Sequence, residues 1–345
     1  METLIISSAD ENGIAKAGTI IRSGGLVAFP TETVYGLGAN ALMSDAAKKV
    51  YEAKGRPSDN PLIVHLTDPE DAEKYAVTSP VYYKLAEAFM PGPLTFILPK
   101  KDIIPDSVTG GLSTVGIRVP SNKTANALIR AAGVPIAAPS ANLSGKPSTT
   151  TAAHVVADLY GRIDAVIDGG EAEIGLESTI ITEDHGRIRL LRPGAVTKEM
   201  IEALGFEVLL DKAVTEKLDA GEKPLAPGMK YRHYAPSAEV TLVDGSRAEV
   251  NKYLSGFGGR EDTAIICYSD DTELTGFKNS FVIGSRADAG NTAHRLFALL
   301  RELDGKKDIK YIYSSVPDTN GIGLAIFNRL VKAAGYRIIN TEQEN

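Results

Sequence analysis

Residues 30–38 read PTETVYGLG, directly behind the apolar run LVAF at 26–29. Thr31 and Thr33 alternate, which in an extended segment turns both hydroxyls to one face, where a small polar ligand could sit. Gly36, Leu37 and Gly38 loosely match a dinucleotide-binding fingerprint, but that motif needs a strand, a tight glycine turn and an immediate helix. Here PTETVY intervenes, and the competing reading is a plain loop whose glycines let the chain bend away.

Four cations stand out. Lys54 and Arg56 flank Gly55 and precede Pro57. They form either a stiff clamp for phosphate or carboxylate, or an ordinary helix end whose cations offset the dipole. Arg118 sits inside the apolar run TVGIRVP and so needs an anionic partner or ligand, unless its strand is an edge facing water. Arg192 ends RIRLLR. His65, within PLIVHL, is read either as a satisfied core histidine or as one wall of a polar pocket.

The run PSANLSGKPSTT (139–150) follows the apolar segment PIAA. Its small residues let a ligand approach the backbone, Ser140 and Asn142 point the same way in an extended segment, and Ser148 or Thr149 could cap a helix whose N-terminus attracts phosphate. It is not a P-loop, because Ser140 replaces the leading glycine and proline follows Lys146. No nucleophile elbow supports a serine nucleophile. With Gly175-Leu176-Glu177-Ser178-Thr179 added, the set is cations amid hydroxyls, without a histidine–carboxylate cluster for a resident metal. Such a site suits a phosphorylated substrate and a carboxylate, with Mg²⁺ carried by the nucleotide and no tightly bound organic cofactor.

The elements that must position these residues alternate between β and α patterns. LVAF, PLIVHL (61–66), LTFILP, TVGIRVP, PIAAPS, AVID, STIIT and RIRLLRP read as strands; helical patterns fall near 45–54, across 69–90, and at 122–132, 150–160 and 197–204. The expected fold class is α/β: a twisted, mixed, open sheet with helices over residues 1–210. Residues 211–236 are polar and rich in proline and glycine, and read as a linker. Residues 237–345 alternate again, with AEVTLVDG, TAIICYS, SFVIGS and IKYIYSSV as strands and GIGLAIFNRLVKAAG as a helix, which predicts a smaller, Rossmann-like parallel α/β domain.

Composition bounds the function. The chain has 345 residues, more than one core comfortably serves. A net charge of -7 argues against a protein held to nucleic acid by a broad basic surface. One cysteine excludes a disulfide framework and a cysteine-rich zinc site. No basic leader or apolar run of about 20 residues is present, so the expectation is a cytoplasmic protein without membrane contact.

Taken together, PTETVYGLGANA, KGRPSDNPLIVH, PGPLTFIL, GIRVP, PSANLSGKPS, GLESTI and LRPGA resemble the YrdC-type threonylcarbamoyl-AMP synthase family over residues 14–205. The C-terminal part from about 237 resembles the additional domain of its two-domain, yeast-type members, and KYRHYAP their linker. The resemblance implies condensation of L-threonine, bicarbonate and ATP to threonylcarbamoyl-AMP and pyrophosphate. The product would pass to a tRNA threonylcarbamoyl transferase complex that modifies the adenosine beside the anticodon in tRNAs reading codons that start with A.

The resemblance also implies residue roles. The family's lysine-x-arginine and serine-x-asparagine signature falls on Lys54, Arg56, Ser140 and Asn142. Thr33, His65, Arg118, Ser178 and the backbone at Ala138 would hold L-threonine. Arg56, Asn60, Thr114, Ser140, Ser148 and Arg192 would hold ATP, with Tyr231 of the linker folding over the nucleotide. The alternatives are an RNA-binding or ribosome-assembly module, with weak RNA affinity given the acidic balance, and an enzyme forming a carbamoyl adenylate.

Overall fold

The computed structural model describes residues 2–217, 224–229 and 234–341, which cluster into two compact units. The first contains residues 2–144, 148–214 and 224–229, and the second residues 145–147, 215–217 and 234–341. Residues 211–214 and 224–229, which lie in the stretch read as a polar linker, thus pack within the first unit: Ala213, Val214 and Ala226 are fully buried there and Met229 nearly so.

Among the described residues the first unit has eleven strands. They are β1 (Leu4–Ser7), β2 (Val27–Phe29), β3 (Gly36–Asn40), β4 (Ile63–His65), β5 (Leu94–Pro99), β6 (Thr114–Arg118), β7 (Ile136–Ala138), β8 (Ala165–Asp168), β9 (Thr179–Asp184), β10 (Arg187–Arg192) and β11 (Val208–Leu210). They form one sheet in the order β1-β8-β2-β3-β7-β4-β6-β5-β9-β10-β11, with parallel and antiparallel pairs mixed. The expected mixed sheet is present.

Among the elements missing from the pattern read off the sequence, two bear on the site. Gly36–Asn40 is a strand, antiparallel to β2, and not a bending loop. Its glycines are there for close packing: a Cβ on Gly38 would lie 2.8 Å from Ile136 Cγ2 and 3.0 Å from the Phe29 ring. This antiparallel pair also removes the dinucleotide reading, which needs a helix straight after the turn. The second departure is the helix Glu11–Arg22, whose Asp10 cap accepts a hydrogen bond from the Gly13 amide at 2.9 Å.

Ala17 and Ile21 of this helix pack with Ala125, Leu128, Ile129 and Ala132 of the helix Lys123–Ala132 over Val27, Phe29, Ile136 and Ala138 of the sheet. Register places Ile63 opposite Ala138 and Gly116, and Ile97 opposite Gly116, so all share this face. Further along it, Ile63, Ile97, Ile180 and Leu191 are covered by Ala213, Ala226 and Met229. One face therefore carries helices at one end and the segment 224–229 at the other.

The second unit is a parallel sheet of five strands among the described residues: β12 (Glu239–Asp244), β13 (Thr263–Tyr268), β14 (Ser280–Gly284), β15 (Tyr311–Ser315) and β16 (Ile338–Asn340), in the order β14-β13-β15-β12-β16. The expected parallel α/β architecture is present. No helix among the described residues is long and apolar enough to cross a membrane.

Candidate active site

The sheet register assembles a row of polar side chains on the face just described. His65 ends β4 and lies opposite Arg118, which ends β6; Arg118 in turn lies opposite Thr95 of β5. Neighbouring strands stand about 4.8 Å apart, so these three side chains are adjacent. The row continues beyond β5: Thr95 Oγ1 is 2.7 Å from Ser178 Oγ, and Arg192 Nη2 donates to that Ser178 oxygen at 3.2 Å while its Nε donates to the Ser178 carbonyl at 3.1 Å. All five residues are buried.

Arg118 is not on an edge, because β6 lies between β4 and β5, and it is only 4% exposed. Its anionic partner is Glu32 of the loop after β2: Arg118 Nη2 donates to Glu32 Oε1 at 2.7 Å. The loop itself is held by the backbone, with Ile174 N donating to Glu32 O and Tyr35 N to Thr149 O, both at 2.8 Å. The Tyr35 hydroxyl is held too: it donates to Gly170 O at 2.7 Å and accepts from Gly169 N at 3.1 Å, and burial pushes its pKa up to about 12.

Thr31 and Thr33 do meet, with their hydroxyl oxygens 2.8 Å apart, but the segment is a turn and not an extended strand. Thr31 Oγ1 accepts from the amides of Thr33 and Val34, each at 3.2 Å, and donates to Val34 O at 2.6 Å. Thr31 therefore builds the turn that presents Thr33, which is fully buried.

Lys54 closes the helix Ser44–Lys54, and Gly55 caps it in the left-handed region with φ 61°. The side chain is not a surface cation offsetting a dipole. It is 2% exposed, and its ammonium donates to the main-chain carbonyls of Ser140, at 2.6 Å, and Asn142. Ser140 Oγ in turn donates to Asn142 Oδ1, so the two side chains do point the same way. The turn is fastened to β3 and the loop before it as well: Leu37 N donates to Pro139 O at 2.9 Å and Ala141 N to Tyr35 O at 2.8 Å.

Arg56, the other cation of the pair, donates through Nε to Asn60 O at 3.2 Å and through Nη2 to Pro61 O at 3.1 Å, which ties Arg56 and Asn60 into one short loop. Ala138 ends β7 and is 2% exposed. Ser148 is fully buried and donates to Glu177 Oε1. Neither Ser148 nor Thr149 caps the following helix: Thr151 does, accepting from His154 N at 3.2 Å, so Ala152–Leu159 begins two to three residues later than the capping reading required. Thr114 opens β6 and so lies four residues, about 13 Å, from Arg118 at the other end of that strand. Tyr231 lies outside the described residues. Arg192 also reaches the segment 224–229, donating through Nη1 to Pro227 O at 3.4 Å.

The electrostatics of the row are unusual in two ways. His65 is 3% exposed, and burial first, then the adjacent Arg118 guanidinium, push its pKa down to about 3. The ring is neutral at physiological pH, with Nδ1 3.0 Å from Ile63 O. In addition, Glu32 Oε2, Arg118 Nε, Asn60 Oδ1 and Thr149 Oγ1 are buried polar atoms without a hydrogen-bond partner among the described residues. Such atoms are uncommon and costly, and they are what a polar ligand would satisfy. Among the described residues no group of three or more His, Cys, Asp or Glu could hold a metal.

Sequence reasoning missed Glu32, Thr95 and Glu177 as members of this constellation. Glu32 had a signal: an acidic residue directly before Thr33, in a loop flanked by apolar strands, in a chain whose Arg118 required an anion.

Comparison with known proteins assigns the chain to a family. A family model described as telomere recombination matches residues 19–194, and one described as the threonylcarbamoyl-AMP synthase C-terminal domain matches residues 196–335. The threonylcarbamoyl-AMP synthase of Bacillus subtilis is 48% identical over 336 residues, 96% of each chain. That of Pyrococcus abyssi is 45% identical over 339 residues, again 96% of each. The crystal structure of P. abyssi Sua5 complexed with L-threonine superposes with a TM-score of 0.90 at 43% identity, covering 99% of each chain. The chain therefore belongs to the two-domain threonylcarbamoyl-AMP synthase family.

Proposed function

We propose that this protein condenses L-threonine, bicarbonate and ATP to threonylcarbamoyl-AMP and pyrophosphate, acting as a nucleotidyltransferase. The observation that carries the reading is the likeness, over 99% of both chains, to a protein crystallised with L-threonine. The threonine amine attacks the bicarbonate carbon, a C–N bond forms and water leaves, giving a carbamate. A carbamate oxygen then attacks the α-phosphorus of ATP; the new P–O bond replaces the bond to the β-phosphate, and pyrophosphate departs.

This chemistry asks the protein for position and for charge facing the phosphate oxygens. Arg118, Thr33, His65, Ser178 and the backbone at Ala138 hold threonine. His65 does so as a neutral ring, so the positive charge in that row comes from Arg118 and Arg192. Arg56, Asn60, Thr114, Ser140, Ser148, Arg192 and Tyr231 hold ATP. With its ammonium on two carbonyls of the Ser140–Asn142 turn, Lys54 keeps that turn in shape as well as adding charge beside it. Mg²⁺ carried by the ATP would neutralise part of the phosphate charge. The product passes to a tRNA threonylcarbamoyl transferase complex in the cytoplasm.

The test is pyrophosphate release from ATP with threonine, bicarbonate or both omitted. Release that needs both supports the reading, and release indifferent to either sinks it. Arg56→Ala should keep the fold and lower turnover about 10²-fold or more, the usual effect of removing one such electrostatic contact.

A further inference from the structure

The Glu32–Arg118 pair is built in a way that a purely structural pair need not be. Both residues are 4% exposed. Arginine and carboxylate commonly meet through two parallel hydrogen bonds. Here there is one, from Arg118 Nη2 to Glu32 Oε1 at 2.7 Å, while Arg118 Nε and Glu32 Oε2 have no hydrogen-bond partner among the described residues. Covalent geometry keeps both atoms within a few ångströms of the bond that is made. The result is a buried donor carrying positive charge beside a buried acceptor carrying negative charge, next to Thr33 in the chain and to His65 in the sheet.

We propose that Glu32 is a substrate-positioning residue that receives the amine of the α-amino acid while Arg118 receives its carboxylate. An α-amino acid bears these two groups on one carbon, matching a donor and an acceptor set side by side. Glu32 thereby has two effects. Through Oε1 it fixes the guanidinium so that Nε faces the carboxylate, and through Oε2 it orients the amine that must meet bicarbonate. The chain makes the position rigid, because the Glu32 carbonyl is held by Ile174 N and the turn by the Thr31 hydroxyl.

The inference rests on the proposed synthase reading, and the experiment separates the two. Pyrophosphate release by the full chain is measured against L-threonine at saturating ATP and bicarbonate, with the 2-hydroxy analogue of threonine, which lacks the amine, as a competitive inhibitor. Glu32→Gln should raise the threonine KM about 10- to 100-fold, the range for one hydrogen bond to a charged group, while leaving the ATP KM within about twofold. It should weaken the 2-hydroxy analogue far less than threonine. Equal weakening of both ligands, or an unchanged threonine KM, overturns the proposal. Should Glu32→Gln fail to fold, the wild-type protein decides: the 2-hydroxy analogue must bind about tenfold or more weaker than L-threonine, and equal binding overturns the role given to Oε2. Wild-type turnover that never depends on threonine defeats the synthase reading instead.

Discussion

Acidification should destabilise the first unit through His65, in an amount the structure sets. The folded ring has its pKa pushed down to about 3, whereas in the unfolded chain it titrates near the ordinary ~6.5. Between those values the unfolded chain binds a proton that the folded chain refuses. Stability is therefore unaffected by this ring above about pH 6.5 and falls as pH drops, by up to about 1.4 kcal/mol per pH unit, until about pH 3. From pH 7.5 to pH 5 the loss due to His65 is about 2 kcal/mol, a large part of a typical margin of about 5–15 kcal/mol.

The control is His65→Gln, which cannot titrate in this range. It should be less stable than the wild type at pH 7.5, because it loses the edge-on contact with Phe29, at a centroid distance of 6.0 Å. Carboxylates titrate in both proteins and cancel in the difference. The stability gap should then close by about 2 kcal/mol between pH 7.5 and pH 5. Hydrogen exchange in peptides from β4 and β6 across a urea series isolates the first unit from the second. A gap that stays constant over this range would show that His65 is hydrated or charged, and the buried neutral ring would be refuted. The same reasoning predicts no step near pH 6.5 in the threonine KM arising from this histidine.

Three further outcomes follow from particular contacts. Gly110 has φ 61°, and a Cβ there would fall 2.8 Å from Asp59 O; Gly110→Ala should cost about 1–3 kcal/mol in thermal unfolding and raise the ATP KM by displacing neighbouring Asn60. Met229 is 4% exposed and packs with Ile63, Ile97 and Ile180; Met229→Ala should loosen the segment 224–229 by about 2 kcal/mol or more, seen as faster hydrogen exchange there. Cys267 is 1% exposed, and burial, then Asp271, push its thiol up to about 11; a disulfide reagent at pH 8 should find no reactive thiol in the native protein and one in urea.

The strands that sequence made legible are those whose apolar runs are long or uninterrupted, such as LTFILP, which forms β5 residue for residue. β3 was not legible, because its sequence GLGAN has no β-branched or aromatic side chain. Its glycines answer to Phe29 and Ile136, which only the folded sheet brings near. The site divides in the same way. Burial of Arg118 followed from its apolar neighbours, and with it the need for an anion, since a lone buried charge is prohibitive.

Which anion could not follow, because the chain has 44 acidic residues and no local pattern selects one. Two long-range facts make the choice. β6 lies inside the sheet, so Arg118 projects over its face, and the turn organised by Thr31 brings Glu32 to it from 86 residues away. Lys54 shows the converse. Its place at a helix end left an anion clamp and a solvated cation both open, and the Ser140–Asn142 turn supplies two carbonyls that make burial tolerable. Local spacing thus identifies groups able to do this chemistry, and the non-local backbone bonds of the opening loop decide which are held in place and which atoms are left for a ligand.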